Sequence, residues 1–251
     1  MRQIFINCLL LSAVCLLISC GGPAERIKET AAITPTPSPT PGERDISGNF
    51  LITGAGSHDM DPYTGSLTVA PKGDNYEFRW ATTKGTRVGT GVQMGSVVAV
   101  TFATTGGGKG CGVVVYKIDS DGTLKGRIAG WGDETSGQER AFHSEGSNLL
   151  GTYIVAGITQ PKPVAGTETQ ETYANGELKI TKDGAGYDFE WNIDGNRRVA
   201  FGIWKGSYAA ASFGGRQCSF ALYDIQSNGS LEGNWGGQKQ VTFGTETAKR
   251  Q

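Results

Sequence analysis

One pattern is written twice in this chain. Residues 73–80 read GDNYEFRW and residues 184–191 read GAGYDFEW. Tyr76, Phe78 and Trp80 match Tyr187, Phe189 and Trp191 at an offset of 111 residues, and so do Arg87 with Arg198, Gly91 with Gly202 and Phe102 with Phe213. Upstream, GNFLITG (Gly48–Gly54) matches GTYIVAG (Gly151–Gly157). A contraction within TTGGGKG resets the offset to 107, after which Cys111 meets Cys218 and Tyr116 meets Tyr223. Gly137-x-Glu139-x-Ala141 then meets Gly244-x-Glu246-x-Ala248. This is a tandem duplication. Whatever the fold is, about 100 residues must be able to specify it.

Within each copy the period is two. Tyr76, Phe78 and Trp80 fall on one face of an extended strand, with Asn75, Glu77 and Arg79 on the other. VVAVTFAT (Val97–Thr104) and CGVVVYKI (Cys111–Ile118) are rich in residues that favour strands. Turn signals such as PKGD, TKG, DSDG, KDGAG, DGN and QSNG separate the runs. No helical spacing with caps follows residue 46. The expectation is an all-β protein with two tandem antiparallel meander units of about seven or eight strands, over 47–144 and 150–249. Open edges invite aggregation, so each meander should curl into a small barrel. Tyr76, Phe78, Trp80, Tyr187, Phe189 and Trp191 then either fill the two cores or face a ligand inside them.

The opening Gly-x-aromatic of each unit resembles the start of calycin folds such as lipocalins and avidins, with Phe50 and Tyr153 in place of Trp. That likeness implies a barrel and nothing about chemistry. The run Gly-x-Tyr, Gly-x-Leu/Val-x-Ile, Tyr-x-Phe/Val-x-Trp and Tyr-x-Ile-x-x-x-Gly-x-Leu-x-Gly is similar to small secreted bacterial proteins described as fibronectin-binding. It implies adhesion to a matrix or cell-wall partner by association.

The N-terminus carries an address. Arg2 precedes an apolar stretch from Ile4 to Ile18, shorter than the roughly 20 residues of a membrane-spanning helix. It closes with Leu17-Ile18-Ser19-Cys20, which resembles the lipobox of bacterial lipoproteins. The resemblance implies a signal peptide over 1–19, cleavage before Cys20, and acylation of the Cys20 sulfur. Several acyl chains make a firm anchor. Gly21 stands where the family's inner-membrane retention signal has Asp, so the outer membrane is the implied destination in a host with two membranes. Residues 20–46 read as a disordered linker, and the alternating Thr/Ser-Pro of Thr34–Pro41 favours polyproline II, a stiff stalk. Without residues 1–19 the chain has 22 basic residues against 24 acidic ones, since only Arg2 is lost. That balance gives nucleic-acid binding no electrostatic support.

Catalytic signatures are missing from the sequence: it has no G-x-S-x-G, H-E-x-x-H or C-x-x-C, and TGGGKG lacks the Walker spacing. His58, Asp59 and Asp61 could in principle hold a metal, but the second copy offers no counterpart and a variable polar loop is the plainer reading. No cofactor is expected. Glu139 and Glu246 are equivalent and read as surface charges or turn contacts, since acid–base work needs two close carboxylates. Arg87 and Arg198 read as a solvated strand face or as charges stacked on the aromatic wall. Cys111 and Cys218 can pair if the units pack about a pseudo-twofold axis; two separate buried thiols are the plainer expectation. The functional expectation is a non-catalytic binding or adhesion module at the cell envelope. The alternatives are a carrier of a small apolar ligand and a glycan-acting enzyme.

Overall fold

The computed structural model describes residues 43–56, 61–159, 171–172 and 176–251. Cys20, the stalk, His58 and Asp59 lie outside the described residues. The first copy forms β1 (Gly48–Ala55), β2 (Pro62–Lys72), β3 (Asn75–Thr82), β4 (Gly85–Met94), β5 (Val97–Thr104), β6 (Gly112–Ile118), β7 (Leu124–Gly130) and β8 (Gly137–Ser147). The second forms β9 (Leu150–Thr159), a short β10 (Glu171–Thr172), β11 (Gly176–Asp183), β12 (Gly186–Ile193), β13 (Asn196–Lys205), β14 (Tyr208–Phe213), β15 (Ser219–Ile225), β16 (Leu231–Gly236) and β17 (Gly244–Arg250). The described residues contain no helix, and their strands close into two eight-stranded antiparallel barrels.

The barrels are not the two sequence copies. The first barrel runs β1-β17-β16-β15-β5-β4-β3-β2, and the second runs β9-β11-β12-β13-β14-β6-β7-β8, with β10 extending the ladder on β9. Strands β6–β8 of copy one therefore complete the barrel of copy two, and β15–β17 of copy two complete the barrel of copy one. The boundaries 47–144 and 150–249 mark repeats in sequence, not closed bodies. The physical reason lies at the junction of the copies. Only Asn148 and Leu149 separate β8 from β9, Asn148 takes φ 55°, and the two strands pair as a hairpin. So short a connection between paired antiparallel strands puts both in one sheet. The second barrel is consequently one contiguous stretch, and the first is split around it.

The exchange explains why some strands lack alternation. On β5, Val98, Val100 and Phe102 face the first core while Val97, Ala99 and Ala103 are buried on the outside; Val97 and Ala99 lie in a third apolar cluster between the barrels. β6 divides likewise: Val114 and Tyr116 point into the second core, Val113 and Val115 into the shared cluster. Matched residues meet across this interface. The Thr101 and Ser212 hydroxyls lie 2.7 Å apart, and Cys111 is disulfide-bonded to Cys218 with 5.6 Å between Cα atoms. Contact between equivalent residues is the signature of a twofold relation. The expectation of two separate thiols is corrected: both cysteines sit at the crossovers into the exchanged strands, where that axis brings them together.

Candidate functional site

Tyr-x-Phe-x-Trp builds the wall of each core, as its parity requires. Phe78 and Trp80 are buried in the first barrel and Phe189 and Trp191 in the second, with Tyr76 and Tyr187 partly buried against them. Phe78 stacks on Trp80 and on Tyr223, while Phe189 stacks on Trp191 and on Tyr116. Tyr116 pairs with Gly126 across β6 and β7, and Tyr223 with Gly233 across β15 and β16. A Cβ on either glycine would come within 2.6 Å of the tyrosine ring. The glycines of Gly-x-Leu-x-Gly thus leave the space that lets each phenol reach the barrel axis.

What the phenols reach is a carboxylate. Glu246 and Glu139 are 5% and 3% exposed, so their reading as surface charges is corrected. Each lies on the inward face of its strand, flanked two residues away by Gly244 and Ala248 or by Gly137 and Ala141. The small neighbours give a long side chain room inside. In the first barrel Glu246 Oε1 accepts from Trp80 Nε1 (3.0 Å) and Tyr223 Oη (2.7 Å), and Oε2 accepts from Tyr63 Oη (2.8 Å). In the second barrel Glu139 Oε1 accepts from Tyr116 Oη and from Trp191 Nε1 (3.1 Å), and no described residue donates to Oε2. Burial raises the Glu139 pKa, partly offset by the donors on Tyr116 and Trp191 and by the charge of Arg198. Burial, then the adjoining carboxylate, pushes the Tyr116 and Tyr223 phenols well above their ordinary value.

The mouths of the barrels differ. In the first, the Arg87 guanidinium lies over both Phe102 and Trp235, 5.5 and 5.3 Å from their ring centres, and Tyr63 meets Trp235 edge-on. Trp235 corresponds to Ile128 in the second barrel at the offset of 107. Arg198 there has one ring beneath it, Phe213 at 4.9 Å, and is exposed where Arg87 is half-buried. Neither arginine is simply solvated on a strand face.

The smaller Ile128 accompanies a cavity of about 570 Å³ that opens at the mouth of the second barrel. Glu139 and Trp191 reach it from the core, Ile128, Ile193 and Phe213 form apolar wall, and Asp133, Asp194, Asn196, Arg197 and Arg198 supply polar groups. Arg197 is held by a bidentate pair with Glu190, and Asp133 Oδ2 accepts from Gly130 N at 2.7 Å. Of the six aromatics singled out in sequence, Trp191 alone lines this cavity. Among the described residues no cluster of three or more His, Cys, Asp or Glu could hold a metal ion. His143 packs edge-on against Tyr153 at 4.4 Å, and its Nε2 lies 3.2 Å from the Leu150 carbonyl oxygen. No protein-family model, no curated protein and no solved structure matches the chain.

Proposed function

We propose that this is an exported, lipid-anchored binding protein whose second barrel holds a small ligand. The observation that carries this reading is the 570 Å³ cavity with the buried Glu139 at its inner end. Its size lies in the range of small-molecule sites, and apolar walls with a few convergent polar groups are their usual lining. Binding is favoured over turnover because the Glu139 carboxyl is engaged by Tyr116 and Trp191, and Asp133, one of the two other carboxylates lining the cavity, is tied to the Gly130 backbone N–H. An enclosed ligand is favoured over adhesion to a matrix or cell-wall polymer because the buried acid serves the interior, which a polymer does not enter. The lipobox-like LISC and the Thr34–Pro41 stalk support anchoring through Cys20 at the envelope, with the folded part held off the bilayer.

Thermal melts of the full chain against a broad panel of small amphipathic and aromatic compounds test the ligand. At least one should raise the melting temperature, and Ile128→Trp should remove the effect. A panel with no stabilising compound would sink the reading. Metabolic labelling with a fatty-acid analogue tests the anchor separately: wild type should incorporate label and Cys20→Ala should not, while Cys8→Ala and Cys15→Ala label normally.

A further inference from the structure

The first barrel fills from within what the second leaves open. Tyr63 donates its phenol to Glu246 Oε2, and the Trp235 ring lies against the Arg87 guanidinium. The counterpart of Tyr63 falls within residues 173–175, which lie outside the described residues, and Trp235 has become Ile128. The second barrel presents a carboxylate oxygen without a donor among the described residues and an arginine with one stacked ring instead of two. An ionised acceptor favours a donor, and a guanidinium favours an aromatic face.

Resting on the cavity reading above, we propose that the second barrel binds a small aromatic molecule bearing a hydrogen-bond donor, a phenol or an indole-type N–H. The donor reaches Glu139 Oε2 and the ring lies against Arg198, reproducing with a ligand what Tyr63 and Trp235 do in the first barrel. Polar groups at the mouth leave room for a substituent on the side of the ring away from Glu139.

The test is calorimetric titration of the full chain near pH 7 with 2-naphthol and with 2-methoxynaphthalene, which keeps the ring and lacks the donor. 2-Naphthol should bind at least about tenfold more tightly, because a buried acceptor left unpaired discriminates against the methyl ether. Glu139→Gln keeps an oxygen for Tyr116 and Trp191 and should shrink the preference to less than about threefold. Arg198→Ala should weaken both compounds by a similar factor, about threefold to tenfold. Equal affinities for the two compounds, with Ile128→Trp abolishing both, would overturn the donor inference while leaving the cavity reading intact. The same holds if neither naphthalene binds but another panel compound does. If nothing on the panel binds, both readings fall. Tyr173 adjoins Ala174 in sequence and lies outside the described residues, so Tyr173→Ala is run beside wild type. Naphthol binding by that variant alone would mean that the chain supplies its own phenol, and the proposal would fail.

Discussion

Two barrels built from the same repeated sequence hold the same acid in opposite conditions. Glu246 has three donors, shared over both oxygens, beneath a lid of Tyr63, Trp235 and Arg87. Among the described residues Glu139 has two donors, both on one oxygen, and a cavity beyond them. Duplication makes this divergence cheap. One barrel can keep its acid engaged on both oxygens by three donors, a network worth more than its separate bonds. The other can then leave a position unfilled. A buried carboxylate with incomplete partners is disfavoured as structure and useful as a site.

The comparison can be broken most sharply at the acids themselves. Glu246→Ala should cost about 4 kcal/mol, because it strands three buried donors, whereas Glu139→Ala should cost about 2 kcal/mol. Denaturant midpoints of the two variants read the difference, and equal losses would mean that the barrels are equally satisfied. Trp235→Ile, which gives the first barrel the residue of the second, should cost about 2 kcal/mol and create a second binding site for aromatic probes. Titration stoichiometry rising from one to two would show it.

The pH response is smaller. Burial raises the Glu139 pKa above the ordinary carboxylate value of 4.5, so the folded protein holds this proton more tightly than the unfolded chain. The stabilisation is fully present below about pH 4.5 and is lost as pH rises through the folded value, by at most about 1.4 kcal/mol per pH unit. Wild type should lose stability relative to Glu139→Gln over that window, and parallel profiles would contradict the shift. The least effect is expected at the mouth. Arg87→Ala should cost about 1 kcal/mol through lost stacking on two rings, and Arg198→Ala under about 0.5 kcal/mol. A larger loss at Arg198 would place a packing role where the site is read.

Strand periodicity, the turn signals and the duplication are local properties, and they were legible residue by residue. The parity of Phe78, Trp80, Phe189 and Trp191 already put them inward. Partner choice is not local. Period two says which face a strand buries and nothing about which barrel it joins, so the exchange of β6–β8 and β15–β17 was invisible except in the two residues between β8 and β9. Cys111 and Cys218 were hidden for the same reason, since their pairing follows from that exchange. Glu139 and Glu246 looked like surface charges because acids usually are. The readable signal was their setting: an acid two residues from a glycine on one side and an alanine on the other, in both copies. Inward parity with small neighbours marks a long side chain that has room inside.

The split of the first barrel around the second has a consequence for the order in which the molecule can be made. A chain emerging from its N-terminus presents β1–β5 early, but their closing partners β15–β17 come last, with β1 waiting for residues as late as Arg250. The second barrel lies wholly between them and is complete at Phe213, before any of those partners has appeared. Until then β1 and β5 are bare edges, open to pairing with a neighbouring chain. Cys218 follows five residues after Phe213, so the bond to Cys111 can close only after every strand of the second barrel has been synthesised. Oxidation thus acts as a late latch on an inserted body. Crowded nascent chains, or any delay in delivering the last strands, should favour products in which one molecule's C-terminal strands close another's first barrel.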